Sequence, residues 1–173
     1  MNVAELFAAA QKDGGQDAVL PEGDFAIKVI RGKGNEAEGD KLPRIGLQLE
    51  IVGAAVLDDQ GNTNWTHDPE EDEAIGHKAW TNLYFTEKAR RLSFDFIRAL
   101  GLSDEFVASS QDVQTLADAL TGVVFVAETT IRKFGKDGER QANNFKVSEV
   151  VTPPAVGAAP VPSEAVEDED EPY

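Results

Sequence analysis

Lys78, Trp80, Asn82 and Tyr84 alternate within His77–Phe85. On a β-strand, side chains two apart share a face, so these four form one row. Trp80 and Tyr84 stand about 13 Å apart at strand rise. A row of two flat rings, a cation and an amide suits single-stranded nucleic acid, whose bases stack on rings while cations hold the phosphates. The plainer alternative is that Trp80 packs under a helix or against one end of a barrel. On the sequence alone both stay open.

A second cluster is basic and aromatic. Arg132, Lys133, Phe134, Lys136, Arg140 and Lys146 fall close together, interrupted by Asp137 and Glu139. Arg31, Lys33, Lys41 and Arg44 flank an earlier glycine-rich stretch and could form an opposing wall. Such runs are more often solvated hairpin charges than binding sites. Other constellations are poorer. Asp68, Glu70, Glu71, Asp72 and Glu73 lack the spaced oxygen ligands and turn glycine of a calcium loop, and read as a solvated acidic loop. His67 and His77 have no ligand pattern around them. Gly32-Lys33-Gly34 lacks the rest of a phosphate-binding loop. The expectation is no metal, no cofactor and no catalytic group.

Five strands must position these residues. Asp24–Arg31 alternates Phe25, Ile27 and Val29 on one face. A polar loop, 32–43, leads to Arg44–Gly53, with Ile45, Leu47, Leu49 and Ile51 at strict period two. Residues 57–76 read as a long acidic loop. His77–Phe85 is the third strand. A helix capped by Thr86, with Glu87 in its first turn, buries Ala89, Leu92, Phe96 and Leu100 and stops at Gly101. A short helix over Val113–Leu120 precedes the fourth strand, Val123–Lys133. Asp137-Gly138 turns the chain into the fifth, Asn143–Val151. Three strands, a helical segment and two more strands is the order of the OB-fold, an all-β five-stranded Greek-key barrel with its helix between strands 3 and 4. The expected division is an N-terminal helix (residues 3–12) and lead-in over 1–20, the barrel domain over 21–151, and a disordered acidic tail over 152–173.

Composition narrows the function. The 173 residues hold no cysteine and two histidines, which weighs against disulfides, thiolate metal sites and most hydrolases. No apolar run is long enough to span a membrane, and the first residues lack the basic start of a secretory signal. The formal charge of −16 argues against a nucleic-acid binder taken whole. Its distribution changes that reading. Residues 1–76 carry 16 acids and 6 bases, while 77–150 carry 10 of each.

The end of the chain reads Glu167-Asp168-Glu169-Asp170-Glu171-Pro172-Tyr173. A terminal ring and carboxylate behind an acidic run make a compact ligand for a basic, apolar pocket on a partner. This tip resembles the C-terminal tip of bacterial single-stranded DNA-binding proteins, with tyrosine where that tip has phenylalanine. The body resembles phage-encoded OB-fold single-stranded DNA-binding proteins over about residues 21–150. The stretches that carry the likeness are Pro21–Val29, Arg44–Val52, His77–Phe85 and the helix ending Arg98-Ala99-Leu100-Gly101-Leu102.

The resemblance implies sequence-independent binding of single-stranded DNA in phage replication, recombination or repair, within the cytoplasm of a bacterial host. Trp80, Tyr84 and Phe134 would meet bases. Lys78, Arg31, Lys33, Arg132, Lys133, Lys136, Arg140 and Lys146 would hold phosphates. The tail would recruit replication or recombination proteins, and the chain could form a homo-oligomer. The rival reading is an acidic interaction module or DNA mimic that blocks a host nucleic-acid enzyme. It accounts for the charge but not for the Trp80–Tyr84 row.

Overall fold

The computed structural model describes residues 2–4, 19–138 and 140–159. The helix expected over 3–12 lies outside them beyond Ala4, and the tip Glu167–Tyr173 lies outside them altogether. The strands are β1 (Gly23–Asn35), β2 (Arg44–Leu57), β3 (Thr63–Thr66), β4 (Lys78–Tyr84), β5 (Val124–Phe134) and β6 (Arg140–Thr152). The helices are α1 (Arg90–Ala99), α2 (Asp104–Ser109) and α3 (Val113–Leu120). All pairings are antiparallel, in the order β3-β2-β1-β5-β6, with β4 also on β2. A β1-β2-β4 meander, a helical segment, and a β5-β6 hairpin returning to β1 is the OB-fold topology. Among the described residues no strand ladder joins β4 to β6, so the barrel is open along that seam.

The strict alternation of β2 does what it promises. Ile45, Leu47, Leu49 and Ile51 are buried against Ile27, Val29 and Phe125, with Ile97, Leu100 and Leu120 closing the core from the helical side. Apolar burial of this kind dominates folding.

β1 is longer than expected because it changes face. Val29 pairs with Leu49 but Arg31 pairs with Gln48, leaving Ile30 as an extra residue. This β-bulge inverts the alternation. Before it, Phe25, Ile27 and Val29 point inward; after it, Gly32 and Gly34 do, and Arg31 and Lys33 are exposed. The stretch expected to be a loop is therefore strand as far as Asn35. Its glycines admit α3. A Cβ on Gly32 would lie 2.7 Å from the Ala117 carbonyl oxygen, and one on Gly34 2.5 Å from the Gln114 nitrogen. The Gly34 N–H donates to Gln114 Oε1 at 2.7 Å. Asp112 caps α3, accepting from the Thr115 N–H at 2.8 Å and the Thr115 hydroxyl at 2.7 Å.

Four further features differ from the sequence expectation. The supposed loop 57–76 contains β3, turned back by Asp58, whose Oδ1 accepts from the backbone of Gln60 and Asn62. The N–H of Asn62, above all, holds the Asp58 carboxyl below the usual carboxylate range. β3 and β4 occupy successive stretches of one edge of β2, so the acidic segment between them is an excursion from a single edge.

The Thr86 hydroxyl accepts from the Ala89 N–H at 3.2 Å as a cap would, but regular helix begins only at Arg90. Of the expected inward face, Phe96 and Leu100 pack on the core while Leu92 gives way to Ser93. Ser93, Ile97 and Leu100 are buried, while Leu92 is 72% exposed. Ser93 can be buried because its hydroxyl donates to the Tyr84 carbonyl at 2.7 Å. α2 was not expected; Ser103 caps it by accepting from the Phe106 N–H. Finally, the chain beyond Thr152 is held as far as Ala159. Pro154 is buried, the Ser103 N–H donates to the Gly157 carbonyl at 2.9 Å, and the Ala159 N–H donates to the Gly101 carbonyl at 2.7 Å.

Candidate nucleic-acid interface

The bulge in β1 puts three strands into common ranks on the outer face of the sheet. Arg31 pairs with Gln48 and Gln48 with Trp80; Lys33 with Gly46 and Gly46 with Asn82; Asn35 with Arg44 and Arg44 with Tyr84. Residues directly opposite across antiparallel strands have neighbouring side chains. The face thus carries Arg31, Lys33 and Arg44 beside Trp80 and Tyr84. Trp80 is half-buried and Tyr84 is 45% exposed.

Gly46 makes the Trp80 position possible. A Cβ there would lie 3.5 Å from Trp80 Cε3 and 3.3 Å from Asn82 Oδ1, so the indole and the amide both lean over bare backbone. The Arg31 guanidinium carbon stands 5.2 Å from the Trp80 ring centroid. That is within the range of cation–π attraction.

The β5-β6 hairpin supplies the facing wall. Arg132 and Phe134 lie two apart on β5, and Arg140 pairs across from Phe134. Their guanidinium carbons lie 5.1 and 5.3 Å from the Phe134 ring centroid. The hairpin tip is a turn of 3-10 helix, Lys136–Gly138, with Asp137 at φ 66°.

Between these walls, along the open seam, runs a groove of about 570 Å³. It is the size of a site for an organic ligand rather than an ion. Lys33, Arg44, Arg132 and Arg140 line it, with Trp80, Tyr84 and Phe134 as its rings and Asn35, Asn82, Gln141 and Asn143 as its amides. Among the described residues no carboxylate lines it. None of the four cations is in an ion pair among the described residues. In a chain of formal charge −16, this is a local reversal of sign. An anion that also presents flat rings is the chemistry such a groove complements.

No family model matches the chain, and no curated protein matches it. One solved structure is similar. It is the crystal structure of small single-stranded DNA-binding protein from Streptomyces coelicolor, aligned over 74% of this chain and 87% of that one, at 12% identity and a TM-score of 0.24.

Of the residues singled out in the sequence, the groove brings together Lys33, Trp80, Tyr84, Arg132, Phe134 and Arg140, with Arg31 against Trp80. The other four lie outside its lining. Lys78 faces Glu50 at 3.8 Å, Lys146 pairs across from Glu128, Lys133 pairs across from Gln141, and Lys136 sits in the hairpin turn. Asn82 enters the groove as the amide of the row seen in the sequence, and Asn35, Gln141 and Asn143 enter without having been chosen from it. Arg44 enters as more than a flanking charge, and Lys41 stays outside the lining. No residue of the acidic segment 57–76 lines it.

Among the described residues no group of three or more His, Asp or Glu side chains could hold a metal. His67 instead bonds to the Val52 carbonyl oxygen at 2.9 Å through Nδ1. No helix of the described residues is long and apolar enough to cross a membrane.

Proposed function

We propose that the protein binds single-stranded DNA in the groove between β4 and the β5-β6 hairpin, without catalysing a reaction on it. The observation that carries this reading is the groove lining: among the described residues, four unpaired cations and three rings with no carboxylate, in a strongly acidic chain. Bases would stack on Trp80, Tyr84 and Phe134. Lys33, Arg44, Arg132 and Arg140 would take phosphates, with Arg31 beside Trp80. Stacking and backbone contacts of this type tolerate any sequence. Lys78, Lys133, Lys136 and Lys146 would add longer-range attraction around the groove.

Phage replication, recombination or repair in a bacterial host is the setting supported by the resemblance of residues 21–150. The acidic tip Glu167–Tyr173 would recruit partner proteins through its ring and carboxylate, and would compete with DNA for the groove when tethered nearby. The charge of segment 57–76 fits the rival DNA-mimic reading, but that reading leaves the groove without a purpose.

A gel shift with labelled oligo-dT tests the proposal. A binder retards the oligonucleotide unchanged in length. A mimic leaves it unshifted, and a nuclease supplied with magnesium shortens it. Retardation that survives replacement of Trp80, Arg132 and Arg140 together would overturn the placement of the site.

A further inference from the structure

We infer that Asn82 pairs with the Watson–Crick edge of a base that lies between the two stacking rings, so that the groove alternates stacking with edge contact. The inference rests on the single-strand reading above and adds what the middle of the row does.

Asn82 sits midway between Trp80 and Tyr84 on one face of β4. The two rings are about 13 Å apart along the strand. Stacked bases follow one another at about 3.4 Å. Bases resting on Trp80 and on Tyr84 are therefore not stacked neighbours. At least one base between them has no ring beneath it and meets the middle rank, Lys33–Gly46–Asn82, instead.

The chemistry of that rank suits a base edge. Gly46 contributes no side chain, and the nearest atom to a Cβ there is Asn82 Oδ1 itself. Asn82 is exposed and lines the groove, and its side-chain amide makes no hydrogen bond among the described residues. Its carbonyl oxygen accepts, its NH₂ donates, and the planar amide can turn over. One orientation meets the N3–H donor and a carbonyl acceptor of thymine. Other orientations meet the donor–acceptor pairs of the remaining bases. An amide here adds affinity without choosing a sequence. Lys33, at the other end of the rank, is placed for the phosphate of the same nucleotide.

The test compares short oligo-dT with oligo-(N3-methyl-dT), each end-labelled and followed by fluorescence anisotropy of the label. The methyl group keeps the ring and the phosphates but removes the edge donor. Wild type is expected to bind oligo-dT roughly tenfold more tightly than the methylated strand, the upper range for one neutral hydrogen bond. Asn82→Leu should bind the two alike, and Asn82→Ala should repeat this without leucine's bulk. Trp80→Ala should bind both more weakly while still preferring oligo-dT. If wild type and the Asn82 variants show the same preference, or none, while Trp80→Ala weakens both, the Asn82 assignment falls and single-strand binding stands. If wild type binds neither strand, single-strand binding itself fails and the inference falls with it.

Discussion

The indole of Trp80 lies over Gly46, which has no side chain to hold it off. A flat ring resting on backbone can keep its far face for a base. Trp80→Ala should therefore weaken oligo-dT binding by about 1–3 kcal/mol, the cost of one base–aromatic stack. Gly46→Ala should fold, since the nearest contact is the movable end of Asn82 at 3.3 Å, and should cost less affinity. Anisotropy of a labelled oligo-dT, with circular dichroism as the check on folding, measures both. Equal losses from the two changes would mean that the floor, not the ring, matters.

The four groove cations predict a salt dependence. Each phosphate held on a single strand contributes about 0.7 to the slope of log K against log salt. Replacing Lys33, Arg44, Arg132 and Arg140 by glutamine should flatten the slope by roughly 3. Replacing Lys133, Lys136 and Lys146, which lie outside the lining and act only at longer range, should flatten it less. The reverse outcome would move the binding surface to the outer face of the hairpin.

Gly34 should tolerate no side chain. Its Cβ would meet the nitrogen and Cα of Gln114 and the carbonyl carbon of Val113, all backbone of α3. Gly34→Ala is expected to destabilise the fold by about 1–3 kcal/mol, the usual cost of overpacking. Urea unfolding reads this directly, and a stability equal to wild type would show that α3 does not pack so closely on β1.

The two ends of the region after β6 should behave differently. Deleting residues 160–173 removes six acids and should leave the melting temperature unchanged while tightening oligo-dT binding at low salt. That gain should shrink as salt screens the tail. Deleting from residue 153 also removes buried Pro154 and the Gly157 and Ala159 bonds to Ser103 and Gly101, so the melting temperature should fall. Tyr173→Ala should abolish capture of any partner that reads the tip.

Asp112 gives a pH dependence. Its bonds from the Thr115 hydroxyl and N–H hold its carboxyl below the usual range. A depressed folded pKa means that the cap's contribution is present above the unfolded value, near 3.9. It is lost as pH falls through the folded value. Asp112→Asn, which can cap at any pH, should therefore gain on wild type as the solution is made more acidic. Thermal melts across the acid range show whether the two converge.

Much of this was legible in the chain. The period-two run of β2 gave its inward face, and the Trp80–Tyr84 row gave one wall of the groove. What was not legible depended on contacts between distant segments. Ile30 announces no bulge, yet only the bulge turns Arg31 and Lys33 outward, and it took α3 lying on Gly32 and Gly34 to make strand of an apparent loop. Leu92 outranks Ser93 by hydropathy, and the Tyr84 carbonyl that reverses the choice is nine residues away. Asn35 and Gln141 are unremarkable polar residues until register places them in the groove.

The extra residue at Ile30 also sets which changes in chain length the protein can survive. Loss of that one codon would let Arg31 follow Val29 directly, so β1 would alternate simply with Arg31 still opposite Gln48 and Gly32 still opposite Leu47. The cations would keep the groove and the glycines would stay beneath α3. Loss of Gly32 instead, with the bulge drawn out to fill the gap, would move Arg31 into the place of Gly32 beneath α3 and Ile30 into the place of Arg31 on the groove face. A one-residue deletion is thus absorbed at the bulge and damaging just after it. The connection between β1 and β2, residues 36–43, carries no such parity. Drift in length among descendants of this gene should collect there and at Ile30, and spare residues 32–35.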